Sequence, residues 1–234
     1  MKVAIFTLAV IAAVNAAVLP SQTLGVTKDE IDELVKEALD NYLKKLQKDG
    51  VHFGRSPLLP LELKDAKLYL QLLDLEGHVS ELPTYEESST LTDTELDLSL
   101  KGSFKNFNTK GQLSLTGSVK GKPFLQKGDV VMSWEDVDQD VFFKAVYDSK
   151  SVTVTDMKFD NDFKVNQVKL TGLDVEGVTE QELEEAVQKA TNKFVQYVES
   201  EVHHMDWAGV LNQFFKGKNL DQVYQMLKLL LTSS

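Results

Sequence analysis

Asp136, Asp138 and Asp140 come nearest to residues spaced for chemistry, because carboxylates at alternate positions open a calcium-binding loop. The pattern then fails. Val141 stands where the loop needs glycine and Tyr147 where it needs the bidentate glutamate. His203 and His204 are adjacent, and neighbours on a helix point about 100° apart, too far to share one metal. His52 and His78 are isolated. With no cysteine, thiol catalysis and cysteine-ligated zinc are excluded. The chain has no G-x-S-x-G elbow, no P-loop and no H-E-x-x-H. Its 36 carboxylates could hide a glycosidase pair, but no pair is singled out. The sequence therefore predicts no enzyme, no metal and no cofactor.

Large apolar side chains on helix faces remain, and these also line sites for small hydrophobic molecules. Leu39, Leu43, Phe194, Val198, Trp207, Leu211 and Phe214 are the residues expected to contact such a ligand. The same types build cores, and for Phe194, Trp207 and Phe214 the core reading stands beside the ligand reading.

The elements that must position them follow from periodicity. Thr27 and Glu30 form a capping box that opens a helix. Ile31, Leu34, Val35, Ala38, Leu39, Tyr42, Leu43 and Leu46 then keep three-four spacing until Gly50. Thr179 and Glu182 form a second box, ahead of Leu183, Ala186, Val187, Ala190, Phe194, Tyr197, Val198 and Val202. Asp206 caps a further helix that Gly217 stops, and a last one starts near Leu220 with Val223, Tyr224, Leu227, Leu230 and Leu231.

Between the helices the period is two: Leu68, Leu70, Leu72; Leu96, Leu98, Leu100; Leu113, Leu115; Val141, Phe143, Ala145, Tyr147. One face is apolar and the other solvated, the mark of antiparallel strands. Turns are expected at residues 108–111, 127–129, 148–150 and 160–162. A Leu-x-Leu-x-Gly frame recurs at Gly77, Gly102 and Gly117, and glycine on the apolar side of a strand marks a bend or close approach. Several bends would curl a long sheet.

Residues 1–17 read as a secretion signal: Lys2, an apolar run from Val3 to Val14, then small residues for cleavage after Ala16 or Ala17. That run is shorter than the roughly 20 residues of a membrane helix. Residues 18–234 are expected to form a single domain with a helical C-terminal tail. A net charge of −11 argues against nucleic acid and anionic membranes as partners. Absence of cysteine from a secreted chain leaves stability to burial. No N-x-S/T site occurs, so N-glycans are not expected.

A signal, an amphipathic opening helix, Leu-x-Leu-x-Gly strands and a second long amphipathic helix together resemble the tubular lipid-binding superfamily. The likeness is to its secreted arthropod branch, which holds mite group 7 allergens, takeout proteins and juvenile-hormone-binding proteins. It covers Thr27 to about Gly217. Takeout and hormone-binding members carry an N-terminal cysteine pair that this chain lacks, which points toward the group 7 type.

The resemblance implies an α+β fold in which a long, curved antiparallel sheet wraps long amphipathic helices in one elongated domain. It also implies an extracellular, non-enzymatic carrier of a lipid, fatty acid or terpenoid. The rival is an interaction protein whose C-terminal helices pack on a partner or form a homodimer. A lipocalin fits less well, since Met132 stands where the Gly of a Gly-x-Trp motif before Trp134 belongs.

Overall fold

A computed structural model describes residues 28–79, 81, 83–92, 94–218 and 222. The expected leader and its cleavage site, Thr27 of the first capping box and the last helix from Leu220 lie outside the described residues. Helix α1 spans Lys28–Asp49 and ends at Gly50, whose φ of 65° releases the chain from the helix. Eight strands follow: β1 (Val51–Phe53), β2 (Leu59–Glu62), β3 (Ala66–Val79), β4 (Thr84–Leu91), β5 (Glu95–Phe104), β6 (Phe107–Val119), β7 (Lys122–Tyr147) and β8 (Val152–Thr171). Helices α2 (Glu180–His204) and α3 (Trp207–Phe215) close the described chain. Both parts of the Thr179–Glu182 capping box are formed, and Asp206 accepts from the Gly209 N–H at the start of α3.

All strands join one antiparallel sheet in the order β1-β3-β6-β7-β5-β4, with β2 also on β3 and β8 on β7. Strand β7 organises it. Its first half pairs with β6 as far as Trp134, its second half pairs with β5 from Val137, and β8 follows its other edge through both halves. The change of partner coincides with register shifts at Ser133/Trp134 and Glu135/Asp138, where a bulge bends the strand. At about 3.3 Å per residue, strands of 26 and 20 residues make the domain elongated.

Three of the expected turns lie inside these strands: residues 108–111 in β6, 127–129 in β7 and 160–162 in β8. Residues 108–111 lie opposite an irregularity of β3 and 160–162 adjoin a β7–β8 register shift, whereas 127–129 run in unbroken register with β6. Gly111 faces the β3 irregularity after Leu73, and a side chain there would press on Leu75. Residues 148–150 do turn, with Asp148 accepting from the backbone of Lys150 and Ser151. The β6–β7 hairpin turns instead on Lys120 and Gly121, both at positive φ, as a two-residue primed turn requires.

The alternating leucines face inward as the period predicts, with Leu70, Leu113, Leu115 and Phe143 completely buried. Of the repeat glycines, Gly102 has the Tyr85 ring lying over it, and Gly117 has a φ of 145° with the Lys67 carbonyl where a Cβ would sit. The curl of the sheet follows from its contacts. Helix α2 packs on both β8 and β2, which are four strand steps apart. Four steps span about 19 Å in a flat sheet, whereas a helix is about 10 Å across. The sheet must therefore bend around the helix.

Strand β8 has a free edge, and side chains of α2 and α3 complete it. Asn192 accepts from Val165 N (2.7 Å) and donates to Val165 O (3.0 Å). Asn212 does the same for Val154, at 2.7 and 2.9 Å. Glu184 accepts from Leu170 N, Glu199 accepts from Phe163 N, and Gln188 donates to the carbonyls of Val165 and Asn166. These groups replace the missing neighbouring strand and block pairing with another chain. On the far side of α2, Lys189 and Lys193 hold Glu62 of β2, whose pKa falls to about 2 through those two contacts.

Losing a buried backbone partner costs about 1–3 kcal/mol. Asn192→Ala and Asn212→Ala should each lower the unfolding free energy by roughly that amount in urea titrations. Gln181→Ala, which removes only a surface pair with Glu185, should change it by less than about 0.5 kcal/mol. Equal effects from all three would show that the edge caps carry no weight.

Candidate functional site

Helix α2 presents one apolar arc along its length, and the arc is covered at one end only. Residues seven apart on a helix differ by about 20° in direction. Leu183, Ala190 and Tyr197 therefore share a face, yet their exposures are 4%, 7% and 62%. Val187 and Val198, eleven apart, also align, at 0% and 40%. The first half of the arc is packed into the main core with Leu70, Leu115, Met132 and Leu170. Phe194 marks the limit, partly buried against that core. Beyond it Tyr197 and Val198 meet solvent, while Val202 at the joint is half-buried.

Helix α3 continues along β8 with a similar surplus. Leu211 and Phe215 are buried and Trp207, one turn earlier, is half-buried. Val210 and Phe214, one position back on the helix, are exposed. Trp207 fixes the joint between the helices: its Nε1 donates to the Val202 carbonyl at 2.8 Å, and its ring meets Phe159 edge-on at 5.0 Å. The uncovered arc thus lies at the α2–α3 joint, beside the bend where β7 changes partners.

That bend is apolar with one internal polar contact. Trp134 packs against both the main core and a second cluster of Leu46, Phe104, Phe107 and Val137. Its ring lies 6.1 Å from Phe107, and its Nε1 donates to the buried Thr109 hydroxyl at 3.0 Å.

Five of the seven expected ligand contacts lie on the two helices that pack along β8: Phe194 and Val198 on α2, Trp207, Leu211 and Phe214 on α3. Leu211 sits in the core, and Trp207 has joint-forming contacts of its own. Leu39 and Leu43 are half-buried on α1, which packs on β3 and, through Leu46, on the second cluster. Tyr197 and Val210 belong to the uncovered surface and are absent from the sequence-derived set. Seven-residue spacing from Leu183 and Ala190 is the signal that points to Tyr197.

The outer face of the sheet is different in kind. Glu86, Lys101, Asp140 and Asp160 form one cross-strand row, and Thr84, Ser103, Asp138 and Asp162 the next. They line an open groove of about 540 Å³ in which Lys101 pairs with Asp140 at 3.5 Å. No group of three or more His, Cys, Asp or Glu side chains placed to hold a metal occurs among the described residues. His203 and His204 are exposed, their rings edge to face.

Glu199 connects the two faces. Partial burial raises its pKa, helped by the charges of Asp162 and Asp160 and opposed by the Phe163 N–H. The folded protein therefore binds this proton more tightly than the unfolded chain. Its effect on stability is most favourable below pH 4.5, fades as pH rises through the elevated pKa, and is constant above it. Glu199→Gln keeps an acceptor for Phe163 and removes the charge. Its stability relative to wild type should rise from pH 4 to pH 7, by less than about 1 kcal/mol given solvent screening. Urea midpoints at the two pH values measure this, and a constant difference would assign the shift elsewhere.

No curated protein sequence matches the chain. Among solved structures it is similar to lipopolysaccharide binding protein, with 16% identity and a TM-score of 0.37 over 72% of this chain. It spans only 38% of that protein's length. It is also similar to Takeout 1 of Epiphyas postvittana, with 13% identity and a TM-score of 0.36 over 86% of this chain and 92% of the other. The family model described as haemolymph juvenile hormone binding protein (JHBP) matches residues 4–223. The match holds without the cysteine pair, and on it this chain belongs to the haemolymph juvenile hormone binding protein family.

Proposed function

We propose that the protein is a secreted, non-enzymatic carrier that holds a hydrophobic or amphipathic small molecule, such as a lipid, fatty acid or terpenoid, against the uncovered arc of α2 and the exposed face of α3. After removal of a leader at residues 1–17, residues 18–234 would act as one binding domain. The observation that carries this reading is the change in exposure along α2, from buried Val187 to exposed Val198 on one face. An apolar helix face that continues past the core it packs on needs a non-protein cover or a partner. Family membership favours the small molecule.

The mechanism is desolvation. Each buried methylene contributes about 0.8 kcal/mol, so ten contribute about 8 kcal/mol, the size of a micromolar dissociation constant before ordering costs. Trp207, Phe194 and Val198 would supply apolar walls. Tyr197 carries a hydroxyl at the exposed end of the arc, where an amphipathic ligand's polar end would lie. No nucleophile, metal or cofactor is needed. The exposed Tyr197, Val210 and Phe214 also support a second reading, in which the two helices pack on a protein partner or a second copy.

Native mass spectrometry of the secreted protein, with organic extraction of anything released, separates the two readings. A stoichiometric lipid or terpenoid is expected, whereas an empty dimer would favour the interaction protein. Val198→Asp should weaken binding of a fluorescent fatty-acid probe at least about tenfold, because it places a charge on the desolvated face. Its urea midpoint should stay near that of wild type, since Val198 is already 40% exposed. Unchanged affinity in a folded Val198→Asp variant would remove α2 from the site. Trp207→Ala should also weaken binding, though it loosens the α2–α3 joint as well.

A further inference from the structure

Three polar side chains are buried among the described residues, and two of them have partners. The Thr109 hydroxyl accepts from Trp134, and the Thr191 hydroxyl donates to the Val187 carbonyl. The third, Gln139 of β7, is 9% exposed, and its carboxamide meets no hydrogen-bond partner among the described residues. It faces inward. In unbroken register with β5, Gln139 shares the side of the buried Val137, Val141 and Phe143, while Asp138 and Asp140 take the exposed side. Its neighbours across the sheet are Gly102 of β5, under the Tyr85 ring, and Asn161 of β8. Asn161 is half-buried and likewise has no partner among the described residues, so the two facing carboxamides are not joined to each other. Native proteins seldom leave a buried amide unpaired unless a water or a ligand completes it.

The pair lies at the α2–α3 joint. Two residues along β8 from Asn161, Phe163 N is held by Glu199 of α2; two residues the other way, Phe159 meets the Trp207 ring of α3. Resting on the carrier reading, we infer that Gln139 and Asn161 receive an uncharged oxygen of the ligand, a hydroxyl or a carbonyl, at the inner end of the site. A carboxamide both accepts and donates, so it can serve either group. An ionised carboxylate fits this place poorly. The inward positions flanking the pair, Val137, Val141, Phe159 and Phe163, bring no cation. Asp138, Asp140, Asp160 and Asp162 occupy the adjoining positions on the other side of the same two strands, and like charges so near disfavour an anion. Their influence already extends to α2, where burial first, and then Asp162 and Asp160, raise the pKa of Glu199. A ligand with a carboxylate would place it instead at the exposed Tyr197 end of the arc.

Displacement of the uncharged probe N-phenyl-1-naphthylamine by 1-dodecanol and by dodecanoate tests this in the intact chain. Leucine nearly matches glutamine in volume and offers no hydrogen bond. In Gln139→Leu, the affinity for dodecanol relative to dodecanoate should fall at least about fivefold from its wild-type value. An unchanged ratio would overturn the inference and leave the carrier reading standing, whereas a wild-type protein that takes up no probe would overturn both. A second measurement uses the wild-type fold. The side-chain amide NMR signals of Gln139, assigned by their loss in Gln139→Leu or Gln139→Met, should move on addition of dodecanol and stay in place with dodecane. Signals that do not move at saturating dodecanol, or that move equally with dodecane, would also overturn it.

Discussion

The free edge of β8 is the constraint on which the rest of the structure depends. A strand of 20 residues with one side unpaired would leave a row of backbone groups open to solvent or to another chain. Here Glu184, Gln188, Asn192, Glu199 and Asn212 meet that edge from two successive helices. Carboxamides suit the role because each presents an acceptor and a donor together, as Asn192 and Asn212 do on one residue apiece. The contacts fix α2 and α3 against β8. Glu62, held by Lys189 and Lys193, connects α2 to β2 on the other side. With both sides tied to one helix, the sheet between them has to curl.

The curl also explains where the apolar interior is filled and where it is not. Around the first half of α2, five strands converge and the helix face is packed by leucines and valines. Beyond Phe194, β7 has exchanged β6 for β5 across its bulge, and the face of α2 runs on past the end of the packed core. Tyr197 and Val198 are exposed through this change of sheet geometry, with no change in the helix's own pattern. Trp134 spans the bend by packing in both clusters, and its one polar atom is satisfied by Thr109.

The two faces of the sheet divide the molecule's chemistry. Carboxylates crowd the outer rows around Lys101, while the inner rows hold almost no polar groups. The acidic face keeps the net charge well below zero and favours solubility. Glu199 lies between the two, with a backbone N–H on one side and two aspartates on the other. Its raised pKa reflects partial burial beside like charges, a position imposed by its task on the edge of β8.

Local patterns made much of this fold legible. The Thr179–Glu182 box, Asp206 and the glycines at 50 and 217 set helix ends, and the period-two leucines identified which side of each strand faces inward. Both follow from interactions between residues a few positions apart. The turns at residues 108–111, 127–129 and 160–162 were misread because glycine and polar clusters occur both in turns and within long strands. Glu184, Gln188, Asn192 and Glu199 carry no sequence sign of their role, because nothing local shows that a strand edge lies beside them. The same limit applies to the site. Periodicity assigned Phe194, Tyr197 and Val198 to one apolar face with Val187, and only the tertiary structure decided that Val187 is core and Val198 is open. A residue's direction depends on its own backbone, whereas its cover depends on strands far away in the chain.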